Sequence, residues 1–168
     1  RRPPRSTQGV SSAASDVYKR QLEDVTKALG DSGAVAIDEV SIALLSGNIE
    51  SFKRDYARLR HEGIQPIMVI RQLLSLFKGM QTAKARMKEG QPAAQAIAQL
   101  RPPVHFKMKP LLTRQLGMWR ENQIADSIDR LMQAEIQTKS AAAADPATLT
   151  GQILLGICLR ARQLNTRR

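Results

Sequence analysis

Leu100-Arg101-Pro102-Pro103-Val104-His105-Phe106-Lys107-Met108-Lys109-Pro110 lies just past the middle of a 168-residue chain. It holds three of the eight prolines and one of the three phenylalanines. Proline has no amide proton, and its ring collides with the preceding helical turn. Pro102, Pro103 and Pro110 therefore cannot lie inside a regular helix. On both sides, apolar residues recur at helical spacing. The stretch reads as a joint between two helical groups, and Arg101, Lys107 and Lys109 make it basic. Two uses stay open: a connector that turns the chain, or a surface that a partner or nucleic acid reads.

Upstream of the joint the helices are punctuated by cap residues. The spacing predicts a helix capped by Asp38 and ended by Ser46-Gly47. Asn48 then caps a helix with Ile49, Phe52, Tyr56 and Leu59 inward and Lys53, Arg54, Arg58 and Arg60 outward. Gly63 ends it. Pro66 opens the longest helix, reaching about Glu89, apolar nearly all round in its first half and so central and buried. Past Gly79 it turns basic (Lys84, Arg86, Lys88) and is expected to project into solvent. A short Ala-rich helix over 92–100 points Ile97 and Leu100 inward.

Downstream, a helix from about Lys109 ends on Trp119, the only tryptophan, expected as a core anchor, with Arg114 and Arg120 flanking it. Asn122 is expected to cap a long helix to about Ala142, with Ile124, Ile128, Leu131 and Ile136 in one stripe. Glu135 and Lys139 stand in the favourable order for a helix ion pair. Ala141 to Pro146 turns the chain into a last helix to about Leu164, with Leu149, Ile153, Leu154, Ile157 and Leu159 apolar. The fold class is all-α, a multi-helix bundle. Aromatics make up only 4% of the chain, which suits an aliphatic helical core better than a sheet.

The organisation expected is as follows. Residues 1–21, rich in Ser, Arg, Pro and Gln, have no structural period and are expected to be disordered. Their string over 11–21 resembles a translated sequencing adapter, so the segment is expected to be non-native; a basic nucleic-acid-binding arm is the other reading. Residues 22–37, with a short amphipathic stretch over Leu22–Leu29, read as a linker or the tail of a preceding domain. Residues 38–164 form the helical domain and 165–168 a basic tail.

The net charge is +11, from 26 basic and 15 acidic residues. Leaving out residues 1–21 removes five basic residues and one acid, so 21 and 14 remain, a net of +7. Such a balance favours an acidic partner, nucleic acid or protein. The sequence contains no phosphate-cradling Gly-rich run, and its two histidines and one cysteine have no metal-ligand spacing. Cys158 falls on the apolar side of a helix, where a small buried residue is the ordinary account. A lone cysteine fits a reducing compartment. No catalytic, metal or cofactor residue is assigned. No apolar run approaches the roughly 20 residues that span a bilayer, and no membrane role is expected.

Taken together, Leu100-Arg101-Pro102-Pro103-Val104-His105-Phe106-Lys107 and the basic helix ending on Trp119 resemble the C-terminal part of the delta subunit of the bacterial DNA polymerase III clamp loader, in its alphaproteobacterial form. Leu59, Glu62-Gly63 and Pro66 to Arg71 are similar to a family pattern, as are Leu131, Glu135 and Lys139. The resemblance spans about residues 22–164 and is most specific over 100–119. It implies a helical collar domain that packs beside the collars of the other loader subunits, near DNA, in the cytoplasm. It also implies no ATPase activity. Binding and opening of the sliding clamp would belong to an N-terminal domain outside this stretch. Arg101, Lys107, Lys109, Arg114 and Arg120 are the candidate partner or DNA contacts. Pro102, Pro103 and Pro110 are the structural hinge, and Trp119 is the anchor. The alternative is a stand-alone basic helical nucleic-acid-binding module.

Overall fold

The structure, a computed structural model, describes residues 33–139 and 145–166. The expectations for 1–32, for the turn over 140–144 and for Arg167 and Arg168 lie outside the described residues. Among those described there are seven α-helices and no strand, so the chain is an all-α bundle. They are α1 (33–46), α2 (Ile49–His61), α3 (Pro66–Lys88), α4 (Ala93–Ala98), α5 (Lys109–Met118), α6 (Glu121–Lys139) and α7 (Pro146–Thr166). A single 3-10 turn, Phe106–Met108, leads into α5.

The first junction shows how local chemistry stops and restarts a helix. Gly47 has φ +67°, a left-handed conformation open to glycine at little cost. Its N–H donates to the Leu44 carbonyl (3.1 Å), and the Asn48 N–H donates to the Ala43 carbonyl (3.0 Å). Those two bonds satisfy carbonyls that the end of α1 would otherwise leave bare. Asn48 then caps α2, its Oδ1 accepting the Ser51 N–H at 3.1 Å. Pro66 opens α3, where its missing N–H costs no helical bond.

α3 is the central helix. Val69, Ile70, Leu73, Leu74, Leu76, Phe77, Met80 and Ala83 are all buried along it. It packs along α6 and also meets α4, α5 and α7. On α2, Phe52 stacks on Tyr56 with ring centroids 5.8 Å apart. The Tyr56 hydroxyl donates to the Ala147 carbonyl at 2.7 Å, and burial pushes its pKa up to about 12. Asp145 caps α7 by accepting the N–H groups of Ala147 (3.0 Å) and Thr148 (3.2 Å). No helix among the described residues is long and apolar enough to cross a membrane.

The structure corrects several expected boundaries and faces. α1 already runs through 33–37, and Ala36 and Ile37 are core residues, so this part is helix rather than linker. Asp38 does not cap α1. It lies inside it, reached by Gln72 Nε2 (3.5 Å) and lying 3.8 Å from His105 Nδ1. Asn122 does not cap α6 either: the helix begins at Glu121, and Gln123 Oε1 accepts the Arg120 N–H at 2.9 Å. Ile136 and Leu159 are exposed, whereas Ala134 and Ala161 are buried. The small residues face the neighbouring helices, where backbones come close. The end of α3 does not project freely. Ala83 is fully buried, Arg86 Nη1 donates to the Ala96 carbonyl (3.4 Å), and Lys88 pairs with Glu121 (2.8 Å). Asn165 and Thr166 belong to α7, not to a tail.

Glu135 joins α3 to α6. It accepts from Arg71 Nε at 3.1 Å and from Lys139 Nζ at 2.8 Å. Burial acts to raise its pKa, but the bonds from Lys139 and Arg71 outweigh it and hold the carboxyl below its ordinary value. A depressed folded value means that the stabilisation is complete above the ordinary glutamate pKa and fades as pH falls through the folded one. Glu135→Gln should therefore lower stability by about 1–3 kcal/mol near neutral pH. It should cost progressively less as pH falls from the ordinary value of 4.5, and least below the depressed folded value. Urea midpoints taken in both ranges measure this; an equal loss in both would show that the charge is irrelevant.

Candidate interaction surface

The proline joint is built on inward residues four apart. Leu100, Met108, Leu112 and Leu116 are buried, and Val104 is packed against the core. Leu100 lies over α3, close enough that a Cβ on Gly79 would stand 3.3 Å from its Cδ1. The residues between point outward. Arg101, Pro102, Pro103, His105, Phe106, Lys107, Lys109 and Pro110 are all exposed. The Arg101–Pro102 peptide is cis. The bend falls at Arg101 and Pro102, with Pro103 in the irregular stretch that follows. Pro110 lies in the first turn of α5, so it starts that helix rather than bending the connection.

Two aromatic features mark the inside and outside of the region formed by α4, the proline joint and α5. Trp119, just past α5, is 1% exposed and meets Phe77 edge-on, with ring centroids 5.3 Å apart. Its Nε1–H donates to Gln115 Oε1 at 3.0 Å. Phe106 is 68% exposed and touches the His105 ring, with centroids 4.6 Å apart. Burial raises the pKa of Asp38, beside His105, while His105 and Gln72 act to lower it.

The candidate contacts Arg101, Lys107, Lys109, Arg114 and Arg120 are all exposed. None forms an ion pair with a described carboxylate. Arg101 Nη1 donates only to the Leu100 carbonyl, at 3.1 Å. Elsewhere cations are tied between elements: Arg58 to Glu39, Arg60 to Asp145 (3.4 Å), Arg71 to Glu135 (3.1 Å) and Arg160 to Asp126 (3.1 Å). Lys53, Lys84, Arg86, Arg130 and Arg162 also form no ion pair with a described carboxylate, but they are scattered over α2, α3, α6 and α7.

A signal in the sequence explains the contrast. Residues 90–120 hold five Lys or Arg and no Asp or Glu. Periodicity within each helix hides this run; a charge count across the helices shows it. The remaining chemical groups do not converge. Cys158 is fully buried on α7, and burial pushes its thiol up to about 11, away from the reactive thiolate. Among the described residues no three His, Cys, Asp or Glu side chains are placed to hold a metal. No family model, no curated protein and no solved structure matches the chain.

Proposed function

We propose that the chain is a subunit-assembly domain of the collar type. More particularly, we propose that it is the C-terminal region of the delta subunit of a bacterial DNA polymerase III clamp loader, the machine that places the sliding clamp on primed DNA. The stretch 100–119 carries this reading, through its resemblance to the family's proline joint and following helix. The all-helical bundle is compatible with it, and so is an exposed surface whose cations form no ion pair with a described carboxylate. On this reading the chain assembles and does not catalyse. Opening of the clamp would belong to a separate N-terminal domain.

Co-purification with the other loader subunits tests the proposal. The chain should enter the complex; failure to associate would overturn the reading. The net charge of +11 favours a second reading, a nucleic-acid-binding module that works alone. It requires tight binding to DNA without partners, falling steeply as salt rises. A DNA titration at two salt concentrations separates the two.

A further inference from the structure

We propose that the lobe formed by α4, the proline joint and α5 docks an acidic surface of a neighbouring protein subunit, with Phe106 as the apolar anchor. This rests on the assembly reading above and adds the face used and the chemistry of its partner. Four of the ion pairs beyond this lobe join residues 19 to 85 positions apart, so those cations serve the chain's own tertiary structure. The lobe is different: 31 residues carry five cations and no acid. None of the five pairs with a described carboxylate, Asp38 lying beside His105 instead, so the lobe presents its positive charge to a partner carrying complementary carboxylates.

The apolar part of the surface favours protein over nucleic acid. A strand-tracking site uses repeated aromatic platforms on which successive bases stack. Phe106 is the only exposed large aromatic among the described residues. It stands among exposed prolines, with Arg101, Lys107 and Lys109 close in sequence. A single aromatic anchor with a charged rim is the composition of a protein interface. The surface is also held in place beforehand. Leu100, Val104 and Met108 are packed into the core beneath it, and prolines restrict the backbone between them. A surface that is already ordered loses less entropy on docking.

Binding of the full chain to the other loader subunits, purified together, tests the inference. The lobe variants are Lys107→Glu/Lys109→Glu and Phe106→Ala. The control, Lys53→Glu/Arg130→Glu, makes the same charge change on exposed cations of α2 and α6. Circular dichroism and thermal melts establish that all are folded. The lobe variants should bind about tenfold or more weakly, the charge reversal mainly at low salt, and the control within about twofold. If the wild-type chain binds and the lobe variants bind as well, the lobe assignment falls and the assembly reading stands. If the wild-type chain binds no subunit, both fall. If the charge reversal abolishes binding to an oligothymidine strand but not to the subunits, the face belongs to nucleic acid and the inference is overturned.

Discussion

Trp119→Ala should destabilise the bundle by about 3–5 kcal/mol, the cost of emptying a large, fully buried aromatic site. The ring is 1% exposed and packs edge-on against Phe77 of the central helix. Its removal would also release a polar relay. Trp119 donates to Gln115, Gln115 Nε2 donates to Asn165 Oδ1 (3.3 Å), and Asn165 Nδ2 donates to the Ser46 carbonyl (2.8 Å). Gln115 is fully buried, so losing its partner leaves an acceptor without water. Trp119→Phe should cost less, since it keeps most of the apolar contact and loses only the N–H. Urea unfolding of the two variants separates packing from the hydrogen bond. Equal losses would assign the whole effect to the N–H.

Gly47→Ala should cost about 2–4 kcal/mol, although it adds a single methyl group. Two effects combine. The φ of +67° is one that L side chains rarely adopt. A Cβ there would also stand 2.4 Å from the Cα and backbone nitrogen of Arg162, which cannot move without shifting α7. Gly63→Ala provides the comparison: φ is +73°, yet nothing lies within 4 Å of the added atom. It should show the conformational cost alone, about 1 kcal/mol. Similar melting temperatures for the two variants would mean that the α1–α7 approach is looser than described.

Glycine, proline and cap chemistry made much of the fold legible. Asn48 and Pro66 are where such residues belong, and the joint separates α4 from α5. The errors have a common physical origin. Asp38 and Asn122 are cap-forming residue types, but a residue type shows only what a side chain can do. Asp38 instead meets Gln72 and His105, 34 and 67 positions away, and only the folded chain brings them together. Ile136 and Leu159 continue apolar stripes in sequence, yet Ala134 and Ala161 take the inward places. Alanine carries little hydrophobic signal, so a close helix–helix approach is easily missed. The basic lobe could have been found by counting charges over a long enough window. That its cations are unpaired could not, because ion-pair partners elsewhere lie as far apart as Arg60 and Asp145.

The bond from Asn165 to Ser46 joins two helix ends that are 119 positions apart. In synthesis α1 is made long before the last turn of α7 exists. During that interval Leu44 and Leu45, fully buried at the end, lack the backbone that passes over Gly47. Closure of the bundle thus waits for α7. Slowing translation between α1 and α7 would lengthen the exposure of this edge, rather than giving the domain more time to mature.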